Sequence, residues 1–126
     1  MARRRISLTD GLTAVAAVRA GEAQRVVGDP QFATAVRFLL EDLAERVPGG
    51  SVEVRVPPLG AVQCVPGSNH RRGTPPNVTE LNPADWFALA VGEVSWEALL
   101  ATGRVHCSGV QAADFVPVLP LVRPAP

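Results

Sequence analysis

The sequence has no lysine, no tyrosine, two cysteines, two histidines and no net charge. Each shortage excludes something. Arginine supplies all twelve basic residues, and twelve acids balance them. The chain therefore lacks the one-signed charge that drives general nucleic-acid or membrane-surface binding. Cys64 and Cys107 lie far apart, and neither belongs to a Cys-x-x-Cys or Cys/His cluster, so no metal is expected. Each sits in an alternating apolar run, where a cysteine is expected to be a small buried hydrophobe, with a disulfide as the alternative. No stretch reaches the ~18 apolar residues of a membrane span. A phosphate-binding glycine loop and a nucleophile motif are also missing. The expectation is a non-enzyme with no cofactor.

The N-terminal ARRRISL has the form of a twin-arginine export signal, with LTAVAAV as its apolar part. That apolar part is seven residues long, bracketed by Asp10 and Arg19, with no small-x-small cleavage site after it. The expected location is cytoplasmic. A chain of 126 residues suits one domain, with a core at about 30–121, an N-terminal helix and linker at 1–28, and a tail at 122–126.

What is present is a run of clear local signals. Leu8, Leu12, Val15 and Val18 recur at helical spacing and predict a helix over 9–20, capped by Thr9 or Asp10 and stopped by Gly21. Asp29-Pro30 starts a second helix: the carboxylate accepts from free amides of the first turn, and proline has no N–H to waste there. Phe32, Val36, Leu39, Leu40, Leu43 and Val47 make its apolar face, and Pro48-Gly49-Gly50 ends it. SVEVRV alternates strictly and reads as a half-buried strand. Pro57 to Gly60 turns the chain into a second strand, so 52–65 is a hairpin. Residues 78–81 suit a third strand. Asn82-Pro83 repeats the helix-start signal for 83–91, Ser95 caps a short helix over 96–102, and 104–108 alternates again. Residues 112–119 suit a short helix that Pro117 distorts.

RRGTPPNVTE, residues 71–80, admits several readings. Its Asn-x-Thr triplet is a glycosylation acceptor only in a secreted protein. Gly73 marks a turn, and Thr74-Pro75-Pro76 should run extended into a strand at Asn77. Arg71, Arg72 and the neighbouring His70 are expected to be solvated, with an anion or partner contact as the alternative for the arginines.

From residue 78 to 119 the order of elements becomes specific. NPADWFALAVGEVSWEALLATGRVHCSG holds a helix rich in Trp/Phe-x-Leu-Ala, a glycine, a second short helix, and Gly-Arg-Val leading into an alternating strand. Together with VEVRVPPLGAVQC, GTPPNV and W-x-A-L-A-x-G-x-x-S-W, this resembles the sterol carrier protein family, in its compact actinobacterial branch, over residues 30–121. The resemblance implies an α+β fold: a mainly antiparallel five-stranded sheet with helices packed on one face. The residues give four strands, so the fifth is expected from 112–122. It also implies an apolar cavity between sheet and helices that holds a hydrophobic or amphipathic lipid-like ligand without catalysis.

The expected cavity lining is Val54, Val56, Val62, Cys64, Val105 and Cys107 from the strands, with Val78 beside them. Trp86, Phe87, Leu89, Ala90, Trp96, Leu99, Leu100 and Phe115 complete it. A filled core is the competing reading of the same residues. The opposite face collects Glu53, Arg55, Gln63 and His106, with Thr79 and Arg104 nearby. That face suits cross-strand pairing or a partner surface. The alternative function is therefore a protein-interaction or dimerisation module, like the sterol-carrier-like domains appended to mycothiol-dependent isomerases. The partner would be a second copy or another protein.

Overall fold

The computed structural model describes residues 5–67 and 75–122. Helix α1 spans Leu8–Arg19 and α2 spans Pro30–Arg46. Strands β1 (Val52–Val56) and β2 (Gly60–Cys64) follow, then β3 (Asn77–Glu80), α3 (Pro83–Ala90), α4 (Trp96–Ala101) and β4 (His106–Ser108). His70, Arg71, Arg72, Gly73 and Thr74 lie outside the described residues, but β3 begins at Asn77 as expected.

The helix starts are set by local chemistry. Asp29 accepts from the amides of Gln31 and Phe32 at 2.9 and 3.4 Å. Asn82 accepts from Asp85 N at 2.8 Å, and Ser95 from Ala98 N at 3.0 Å. In α1 the cap is Ser7, which accepts from Asp10 N at 3.0 Å, and not Thr9 or Asp10. The buried face of that helix is Gly11, Ala14, Val15, Ala17 and Val18, while Leu8 and Leu12 are exposed. Gly11 decides this, because a Cβ there would overlap the Phe38 ring of α2. The small face of α1 therefore lies directly on α2. Helix α2 buries Phe32, Val36, Leu39, Leu40 and Leu43 as its spacing predicts, and adds Phe38, Ala33 and Ala35.

The sheet corrects the expectation of five mainly antiparallel strands. It has four, in the order β2-β1-β3-β4, and it is mixed. β1 pairs antiparallel with β2, but parallel with β3, and β3 pairs antiparallel with β4. The fifth strand expected from 112–122 is instead a set of turns and one 3₁₀ turn, Val116–Val118. Pro117 and Pro120 have no N–H to give to a ladder. That segment is tied down by single bonds: Leu121 N donates to Ala90 O at 2.8 Å, and Arg46 Nη2 donates to Leu121 O at 2.7 Å.

Strand β3 also faces the other way from its expected phase. Asn77 and Thr79 are buried beside Val52 and Val54, whereas Val78 and Glu80 are half-buried on the opposite face. Buried polar groups need partners, and these have them. Thr79 Oγ1 donates to Ala112 O at 2.8 Å. Asn77 Nδ2 donates to Ser51 O at 2.8 Å, and its Oδ1 accepts from Gln111 N at 2.9 Å.

Candidate functional site: a groove between the second helix and the edge of the sheet

β2 is the outermost strand of the sheet on one side. Helix α2 runs alongside it. Arg37 Nε donates to Leu59 O at 2.9 Å at the start of the strand, and Val65 N donates to Val47 O at 2.7 Å at its end. The N-terminal segment crosses the outside of α2, where Glu41 Oε1 accepts from Arg5 N at 2.9 Å and Ile6 N at 3.0 Å. Between these three walls lies an open groove of about 630 Å³. Ile6, Leu40, Ala44, Leu59 and Val62 make its apolar surface. Arg5, Arg37 and Glu41 supply its charge, and Gly60, Ala61 and Gln63 supply its sheet edge.

Most of the expected lining residues lie elsewhere, together. Val54, Val56, Cys64, Trp86, Phe87, Ala90 and Phe115 are fully buried in one core cluster with Leu89 and Leu99. Val62, Trp96 and Val105 pack on its margin. Trp86 Nε1 donates to Val36 O at 3.3 Å, and Trp96 meets Phe115 edge-on at 5.8 Å. Of the expected set, Val62 is the residue that also lines the groove. Leu100 and Cys107 are exposed. No disulfide joins the cysteines. Burial pushes the Cys64 thiol up to about 12, so it behaves as a hydrophobe. Cys107 Sγ stands 3.5 Å from Thr79 Oγ1 at the other edge of the sheet.

Glu53, Arg55, Gln63 and His106 do share a face. The register sets Ala61, Arg55, Glu80 and His106 in one row across the sheet, and Gln63, Glu53, Val78 and Ser108 in the next. Arg55 and Glu53 pair along their own strand at 2.7 Å. Arg104 is not part of this face. It forks onto Asp85 at 2.8 and 2.9 Å, and the guanidinium holds that carboxyl below its ordinary range.

The groove residues Arg5, Ile6, Arg37, Leu40, Glu41, Ala44 and Leu59 carried no separate signal in the sequence. Arg37 and Glu41 read as the outer face of an amphipathic helix. The only hint was the uncharged, proline-flanked stretch GAVQC, which is the composition of an unguarded edge.

The family model described as bacterial SCP ortholog matches residues 29–121. The chain belongs to this sterol-carrier-like bacterial family. No curated protein matches it in sequence. The match begins at the Asp29 cap and ends at Leu121, so α1 and the Arg5–Ile6 wall of the groove precede the matched residues of this sterol-carrier-like protein. No helix among the described residues is long and apolar enough to cross a membrane.

Proposed function

We propose that this sterol-carrier-like protein is a non-catalytic binder of a hydrophobic or amphipathic ligand, and that the ligand lies in the groove between α2 and β2. The observation that carries the reading is the groove's make-up: about 630 Å³ of open volume with an apolar floor and two arginines at its margin. That volume is in the range of small-molecule sites. Membership of a sterol-carrier-like family supports a lipid-like ligand. Burial of apolar surface at ~25 cal/mol per Å² would drive binding and give broad selectivity by shape. The decisive measurement is mass spectrometry of organic extracts from the purified protein, with displacement of a fluorescent fatty-acyl probe. Retained apolar compound and probe binding are expected in the wild type, and both should fall in Val62→Trp, which fills the groove. A wild-type protein that retains nothing and ignores the probe overturns the proposal.

A second reading uses the open sheet face, on the observation that Glu53, Arg55, Gln63, Glu80 and His106 share it. A docking partner or second copy would bind there. Arg55→Ala with His106→Ala should then abolish association in sedimentation velocity and leave the fold intact; unchanged association counts against it.

A further inference from the structure

We infer that the ligand of the groove is a peptide-like chain and not a bare hydrocarbon: an acylated peptide that adds to β2 as an extra strand and ends in a carboxylate at Arg37. This rests on the ligand-binding reading above and specifies its chemistry.

The inference starts from the direction of the backbone groups. Leu81 N donates to Arg55 O on the β3 side, and Leu59 N donates to Val56 O on the β2 side. Residues alternate along a strand, so Glu53 and Arg55 address β3, while Val52, Val54 and Val56 address β2. Their partners Cys64, Val62 and Gly60 therefore bond back to β1. Ala61 and Gln63 turn their N–H and C=O outward, along the sheet-side wall of the groove, from the outermost strand. The strand carries no charge and no proline, the usual guards of such an edge.

A hydrocarbon tail laid against this wall would strip water from those backbone groups and return nothing. A chain with its own amides at strand spacing satisfies them, as in other cases of strand addition. Charge then fixes which end goes where. Arg37 is pinned by Nε to Leu59 O, and its terminal nitrogens have no partner among the described residues. The groove's carboxylate, Glu41, is already engaged by two backbone amides through Oε1. The open charge is cationic, which suits an acidic terminus. A peptide antiparallel to β2 brings its C-terminus to the Leu59 end, beside Arg37. Its N-terminal acyl group then lies at the far end, against Ala44 and Val62.

The test is calorimetric titration with three probes: N-decanoyl-trialanine, the same compound N-methylated at its middle amide, and decanoate. The unmethylated peptide should bind at least about ten-fold more tightly than either of the others, the scale of one or two buried hydrogen bonds. Arg37→Gln should weaken the peptide by a similar factor. Ala61→Pro deletes one outward N–H without touching the β1 ladder, and should weaken the peptide but not decanoate. If that variant fails to fold, the N-methyl comparison in the wild type decides. Equal affinity for peptide and decanoate overturns the inference and leaves the ligand-binding reading standing. Binding of none of the three overturns both.

Discussion

Arg25 closes a fork on Glu93, with Nη1–Oε1 at 2.7 Å and Nη2–Oε2 at 2.9 Å, while its guanidinium stands 4.8 Å over the Phe87 ring. One side chain thus joins the α1–α2 linker to the turn between α3 and α4 and lies on the core beneath it. Both partners are about one-third exposed, so solvent screens the pair, and an exposed ion pair is worth about 0–1 kcal/mol. Contact with the ring adds roughly 0.5–1 kcal/mol. Arg25→Ala should therefore cost about 0.5–2 kcal/mol in urea denaturation.

The same pair sets an acid dependence. The hydrogen bond from Arg25 holds the Glu93 carboxyl below its ordinary value, and Arg104 does the same for Asp85. A lowered folded pKa means that the unfolded chain binds more protons in the window between the two values, so stability rises with pH there. The contribution is complete above the ordinary carboxylate range, near pH 4, and is lost as pH falls through the lowered values. Glu93→Gln should flatten the decline of melting temperature between about pH 5 and pH 3 relative to wild type. An identical slope in the two proteins would remove Glu93 from the account.

Gly11 supplies a prediction whose sign runs against helix propensity. Replacing glycine by alanine inside a helix ordinarily stabilises by about 1 kcal/mol. Here a Cβ would meet the ring of Phe38, which is itself buried at the α1–α2 contact. Overpacking of this kind costs about 1–3 kcal/mol. Gly11→Ala should be net destabilising in chemical denaturation, and a gain in stability would show that the two helices move apart freely.

Asn77 makes the fourth case. It donates to Ser51 O and accepts from Gln111 N, and it is 3 % exposed. Gly109, at φ +97°, passes so close that a Cβ there would strike Asn77 Oδ1. Asn77→Ala strands both backbone partners, at about 1–3 kcal/mol each before water re-enters. A loss of at least about 2 kcal/mol is expected, with faster amide exchange at Gln111. Loss of stability without a change in exchange at Gln111 would place the effect elsewhere.

Particular residues show what could be read in advance. The caps at Asp29, Asn82 and Ser95 were legible because a cap is a contact between near neighbours in sequence. So was the apolar stripe of α2, since its spacing is fixed by the helix itself. The face of α1 was misplaced on Leu8 and Leu12, because the close approach of Phe38 to Gly11 involves a residue on another helix. The strand Asn-Val-Thr-Glu alternates either way, and four residues cannot say which set is buried. The carbonyl of Ala112 and the amide of Gln111 decide it, and both arrive from the far end of the chain. The parallel pairing of β1 with β3 is likewise a contact between strands more than twenty residues apart, which no local pattern encodes.

By itself, the sequence determined the presence of α1 to α4, the starts of α2, α3 and α4, the β1–β2 hairpin and the family, because these rest on spacing, capping and the order of elements. Tertiary structure alone decided the four-stranded mixed sheet, the polar buried face of β3 and the groove. Arg37, Leu59 and Ala61 come to line one groove only when α2 settles beside an edge strand. That placement comes from packing over long sequence separations, where burial and hydrogen-bond satisfaction outweigh any local preference.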